Sequence, residues 1–379
     1  MPSATPLKTS GSVHRTWLWL ALGLPLGWIF QRLAAAFPTT TEQIYGRAIF
    51  PPVRRTSQWI AGAFPFSVAE LFVLTGTVLT VALLVRGLTR AARRRASWRE
   101  VVGTGLRRLA ATAGALYLLF LLTWGFNYAR PSLATTLELK LRPTEPGELA
   151  VLCAELSDRC EYERDGVLED ATGAFRLGAE GVDLSSKVGS AMRAAARRHP
   201  AWIQLDGDDP LLRFPWLSPL LSRLGITGIW SPFTAEAHVN AHVPDVLKPF
   251  TACHEAAHGR GFAREDEASF VAYVVGRGAP DRGMRYSSSL CTLRTALAQL
   301  ARANLDLARA VDEDIDEATA RDMLALDTYW RAQRSWITGV ARRANDAYLR
   351  TQGDARGVQS YGRMVDLLLA ERRQRGSSL

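Results

Sequence analysis

Cysteine is scarce in this sequence. Only four of its 379 residues are cysteine, and no two have the CxxC spacing of a dithiol or thiolate–metal site. Cys153 and Cys160, if they share a helix, sit about 10 Å apart by helical rise, too far to be bridged. The four read either as buried thiols or as including one disulfide, which an extracytoplasmic compartment would permit. There is no internal repeat and no low-complexity tract. Histidine is also rare, with six in the chain. Acidic charge is scarce at one end only. Residues 1–85 carry six Lys/Arg against two acids, and residues 86–108 carry eight Arg against one Glu. The first 108 residues therefore sum to +11 of a net +9, and the remaining 271 to −2. A basic pI confined to one end argues against a nucleic-acid-binding face on the rest of the chain.

What the basic end does contain is apolar runs. Three stretches predict transmembrane helices: residues 17–37, 66–88 and about 107–128. Each is long enough to cross a ~30 Å hydrocarbon core. Pro25 falls mid-span in the first and predicts a kink. Trp and Tyr mark the span ends, as at membrane interfaces. The Arg-rich segment between the second and third spans belongs in the cytoplasm by the positive-inside rule. Three spans then leave the N-terminus inside and everything after about Tyr128 outside. A cleaved signal peptide at the first span is a second reading, and it leaves the C-terminal part on the same side. Residues 38–65, with Tyr45, Phe50, Trp59 and Phe64, read either as an amphipathic segment on the outer interface or as plain loop. The expected organisation is a membrane domain, 1–130, followed by an extracytoplasmic domain, 131–379.

The second part is mainly α in pattern. Residues 146–163, 185–199, 287–311, 314–350 and 358–373 place apolar residues three and four apart. Gly and Pro clusters break the pattern near 207–232. Residues 233–243, FTAEAHVNAHV, alternate loosely and predict one exposed strand.

The strongest chemical signal is His254-Glu255-Ala256-Ala257-His258. With so few histidines, a chance HExxH has a probability on the order of one in two hundred. Pro249 suits the first turn of a helix, and Gly259 and Gly261 suit its end. Four residues apart on that helix, His254 and His258 can direct ring nitrogens at one ion, which predicts Zn2+. Glu255 can then act as general base on a water activated by the metal. A catalytic zinc needs a third protein ligand and an open position. Glu265, Asp266 and Glu267 follow closely. Glu267 shares a face with Phe270, Val271 and Val274, so it is the expected third ligand, whereas Glu265 and Asp266 read as complements to a helix macrodipole. Glu236 and His238, on the strand before the helix, are candidates for second-sphere or substrate contacts, and His242 is a weaker one. Tyr361 and Arg363 are candidate oxyanion donors, or parts of a motif that packs the last helix. Lys248, Glu255, Arg260 and Arg264 make the segment too polar for an intramembrane protease.

Several separated motifs occur in one order: PFSVAE (65–70), WGFNYARP (124–131), SPFTAEAHVNAHVPD (231–245), PFTACHEAAHGRGFAREDEASFVAY (249–273), NDAYLR (345–350) and GVQSYGRMVDLLLA (357–370). In these the chain resembles the bacterial membrane proteins grouped as domain of unknown function 3810, regarded as zincin-like. The resemblance implies a membrane-bound, mainly helical, metallopeptidase-like domain. EDEASF is also similar to the helix that gives small gluzincin peptidases their third ligand, which implies Glu267 here. The combined expectation is a multi-pass protein of the bacterial inner membrane. Its partners would be the lipid bilayer and a peptide or protein substrate at the outer membrane surface, with no nucleic acid. The competing expectation is a non-enzymatic membrane protein with a structural metal site, closed by a fourth ligand such as His238 or Cys253.

Overall fold

The computed structural model describes residues 21–94, 96–178, 184–351 and 363–376. The chain divides into two units, residues 1–56 with 68–130 and residues 57–67 with 131–379.

The first unit contains α1 (Gly23–Ala36), the start of α2 (Phe50–Gly62), α3 (Val68–Ala92) and α4 (Trp98–Thr123). The apolar run of α3 is not buried, and Leu71, Phe72, Val73 and Leu74 are among the side chains it exposes. At 1.5 Å per residue, helices of 25 and 26 residues exceed the ~30 Å needed for a crossing. Among the described residues, two helices are thus long and apolar enough to span a membrane, not three. The expected first span appears only as α1, 14 residues long, about 21 Å. Pro25 stands in the first turn of α1. Residues 17–20 of that span lie outside the described residues. The start of α4 at Trp98 is set by a capping box: Glu100 N–H donates to Ser97 Oγ (3.2 Å) and Ser97 N–H to the Glu100 carboxylate (2.8 Å). Tyr117 Oη donates to Gln31 Oε1, joining α4 to α1 at 2.5 Å.

The second unit is helical around one small sheet. Its elements are the end of α2, α5 (Pro146–Arg164), α6 (Leu184–Arg198), β1 (Leu211–Arg213), α7 (Ser218–Leu224), β2 (Gly228–Ser231), β3 (Glu236–Val239), α8 (Leu247–Gly259), α9 (Glu265–Arg277), α10 (Arg282–Ala303), α11 (Leu305–Glu313), α12 (Glu317–Gln333), α13 (Trp336–Thr351) and α14 (Met364–Arg375). The core gathers where α5, α8, α9 and α10 meet, around fully buried Leu152, Leu156, Phe270, Tyr273, Leu290 and Leu293. Burying a side chain of that size contributes about 1.5–3 kcal/mol. The two long helical patterns of the sequence are each broken by polar residues. Asn304 Oδ1 accepts the N–H groups of Asp306 and Leu307 and so starts α11, while the 314–350 pattern stops at Gln333 and resumes at Trp336, where Ser335 Oγ accepts from Thr338 N–H (3.4 Å). The four cysteines are buried free thiols.

The sheet has the order β1-β3-β2, with β1 parallel and β2 antiparallel to the central β3. The expected exposed strand over 233–243 is four residues long and fully buried. Strands flank it on both edges because LLR and GIWS, inside the Gly/Pro-rich stretch, pair with it. Its faces alternate with a period of two. Gly228, Trp230 and Ala237 belong to the face toward α8, and Arg213, Glu236 and His238 to the opposite face.

Candidate metal centre

Helix α8 carries the HExxH motif and ends in a Schellman turn. Phe262 N–H donates to the Ala257 carbonyl (3.2 Å) and Gly261 N–H to the His258 carbonyl (2.8 Å). Gly261 has φ +90°, a conformation that a side chain would strain. The turn brings the Phe262 carbonyl within 2.7 Å of His258 Nδ1. A carbonyl can only accept, so Nδ1 carries the proton and Nε2 of the neutral ring presents a lone pair. One turn back, His254 Nδ1 lies 3.2 Å from Ser269 Oγ. The two rings meet edge to face, with centroids 4.7 Å apart.

The chain reverses into α9, whose first residue is Glu265. Glu265 Oε2 lies 3.1 Å from His254 Nε2 and 3.4 Å from His258 Nε2, and the two Nε2 atoms are 3.1 Å apart. The third member of the cluster is therefore Glu265 rather than Glu267. Glu267 is buried, but its carboxylate accepts from Leu133 N–H (2.7 Å) and Arg264 (3.1 Å). Two residues apart on a helix are about 200° apart in direction, so the pair cannot face the same way. Ser269, four residues after Glu265, lies on Glu265's side and touches the same His254. That i,i+4 relation was the available signal; the apolar stripe that favoured Glu267 marks the core face instead.

Glu236 and His238 are not in the cluster, because they occupy the other face of the sheet. His238 Nε2 is 2.8 Å from Ser67 Oγ, and Glu236 lies 3.4 Å from Arg213 Nε. His242 donates its backbone N–H to Asn240 Oδ1. Tyr361 lies outside the described residues. Glu255 projects toward β2 and accepts a hydrogen bond from the Trp230 backbone N–H. Its place depends on Gly228: a Cβ there would sit 2.6 Å from Glu255 Oε1 and 2.6 Å from the Thr251 methyl.

The electrostatics follow from burial and proximity. Burial raises the pKa of Glu255, against the opposing pull of His254 and His258. Burial also opposes the charge on Glu265, but the two imidazoles outweigh it and hold that carboxyl well below the usual range. Burial disfavours a charged His258, yet Glu265 beside it pushes its pKa up to about 9. Glu267 is raised by burial, with Arg264 opposing.

These residues fit a zinc ion. Zinc–nitrogen distances of about 2.0–2.1 Å place tetrahedral donors roughly 3.3 Å apart. The three donor separations here are 3.1, 3.1 and 3.4 Å. Both histidines have a polar partner at Nδ1, the support that metal-binding imidazoles use. Among the described residues no fourth His, Cys, Asp or Glu joins the group. Cys253, on the same helix, is packed into the hydrophobic core. The His254 and Glu265 side chains keep 11% and 13% of their surface, so the cluster is not sealed.

No curated protein matches the chain, and no solved structure does. The family model described as "Protein of unknown function (DUF3810)" matches residues 45–369, taking in the HExxH helix, the sheet and both apolar helices. The chain belongs to that family.

Proposed function

We propose that this protein is a membrane-anchored, zinc-dependent metallopeptidase of the bacterial cell membrane, with a minimal gluzincin-like catalytic unit. The observation that carries the proposal is the triangle of His254, His258 and Glu265 donor atoms, with edges of 3.1–3.4 Å, beside a buried Glu255 that does not join it. Those three residues would hold the ion. Bound zinc supplies Lewis acidity and brings the pKa of water toward ~7. Glu255 takes the proton from the attacking water and delivers it to the departing amine. Its burial suits it to carry that proton.

In this reading α3 and α4 cross the bilayer, with the Arg-rich segment between them in the cytoplasm. Two crossings return the chain to the side it left. Residues 57–67 and 131–379, which form one unit, then lie together outside the cytoplasm. Substrates are peptides or proteins at that membrane surface.

The test is hydrolysis of a fluorogenic peptide library by the purified, zinc-loaded protein. Glu255→Gln should retain zinc and lose roughly 10²–10⁴-fold in rate. Equal rates for the two proteins would refute the catalytic reading and leave a structural metal site. His258→Ala should lose zinc as well as activity.

A further inference from the structure

The face of the sheet opposite α8 holds the segment that leads into the first apolar helix. Three hydrogen-bonded joints fix it. Gln58 Nε2 donates to the Asp209 carbonyl (2.7 Å). Arg213 Nη2 donates to the carbonyls of Ala61 (3.3 Å) and Phe64 (2.7 Å). Ser67 Oγ and His238 Nε2 are 2.8 Å apart. These joints bring together two stretches that contain no charged residue, SQWIAGAFPFS (57–67) and FPWLSPLLS (214–222). Most of their aromatic and several of their aliphatic side chains are exposed, while Ala61 and Leu221 are buried: Trp59 is 77% and Trp216 82% exposed, and Ile60, Phe64, Phe66 and Phe214 are exposed as well. Arg213, the cation between them, is committed to the two carbonyls and to Glu236.

We infer that this aromatic rim seats the second unit in the headgroup layer of the bilayer. Exposed apolar patches rimmed by polar surface mark interaction sites, and continuity of the chain names the occupant. Ser67 is held on the sheet, and the next residue, Val68, is the first of a 25-residue apolar helix. Phe66 on the rim therefore lies two residues before the first residue of that helix. Trp and Phe on an uncharged surface are the residues that partition to a membrane interface. A second copy of the chain would also cover apolar surface, but nothing about a dimer requires the patch to adjoin the start of a span.

The consequence for chemistry rests on the peptidase reading above. The metal centre lies on one face of the sheet and the rim anchor on the other. With packed layers about 10 Å thick, the centre sits roughly 20 Å or less from Ser67. Its substrates would then be stretches of polypeptide that emerge directly from the bilayer.

The experiment uses the full chain in phospholipid nanodiscs. A single added thiol at Trp216→Cys is labelled with an environment-sensitive fluorophore; the four native thiols are buried. Phe214→Cys is a second variant at the same rim, and retained zinc content checks the fold of each. Leu324→Cys, at an exposed position on α12, and Leu79→Cys, within α3, serve as references. The expected result is loss of fluorescence at 216 and 214 with lipids carrying a nitroxide near the headgroup. Position 79 should respond to nitroxides near the chain end, and position 324 to neither. Unquenched labels at 216 and 214, with position 79 quenched, overturn the inference; disulfide-linked dimers through position 216 would then assign the rim to a second copy. An unquenched label at 79 overturns the membrane reading together with it. None of these readouts depends on hydrolysis, so they stand apart from the peptidase test.

Discussion

The two faces of the three-stranded sheet each hold a buried group of histidine and glutamate, and they differ in what neutralises the carboxylate. On the far face, Glu236 has Arg213 at 3.4 Å, and His238 is engaged by Ser67 and by the Ile229 carbonyl (3.2 Å). That group contains its own cation. On the α8 face, three donor atoms converge at 3.1–3.4 Å, and Arg264, the nearby cation on that turn, pairs with Glu267. A buried carboxylate beside two imidazoles demands a positive charge, and in the metal-free chain a proton on His258 meets that demand. Residue type alone does not make a metal site. The convergence of three donor atoms is what makes the α8 side the candidate for one.

The contrast can be broken most decisively at the carboxylates. Glu265→Gln should weaken zinc binding by about 100-fold or more, beyond the 10–100-fold loss typical of a supporting residue. Glu236→Gln should leave zinc affinity unchanged in the same competition titration against a chromophoric chelator. Equal losses would remove the distinction between the faces. Glu267→Gln should keep zinc but destabilise the fold by about 1–3 kcal/mol, since the buried Leu133 N–H loses a charged acceptor. Thermal unfolding with and without zinc reads this, and a zinc deficit in this variant would reinstate Glu267 as the ligand. Ser269→Ala should cost roughly tenfold in zinc affinity by releasing the His254 ring. The smallest effect is expected for His238→Ala, about 1 kcal/mol of stability with zinc stoichiometry intact. Zinc loss in that variant would place His238 in the metal centre after all.

Much of this site was legible along the chain. His254 and His258 are spaced by one helical turn, with Glu255 next to the first, and local geometry alone aims both imidazoles at one point. Gly261 marks the turn after them, because a Schellman ending needs a left-handed residue. The third carboxylate was not legible. Glu265 and Glu267 both lie in the first turn of α9, and the apolar stripe Phe270–Val271–Val274 favours Glu267. That stripe reports which face meets the core, whereas Glu265 lies on the face that meets His254 and His258. The strands were hidden for a related reason. LLR and GIWS are too short for a two-residue alternation to show, and they become strands only because β3 is there to pair with them.

Hydropathy along the chain marked α3 and α4, since a helix in lipid satisfies its backbone internally and needs only length and apolar composition. The separation of charge, with arginine between those helices, is likewise a property of the sequence alone. The grouping of residues 57–67 with residues 131–379, the placement of Glu236 and His238 away from the histidine pair, and the choice of Glu265 were decided by tertiary structure. Each depends on which face of a strand or helix meets which neighbour, and that is fixed by packing between segments far apart in sequence, not by the order of residues within one.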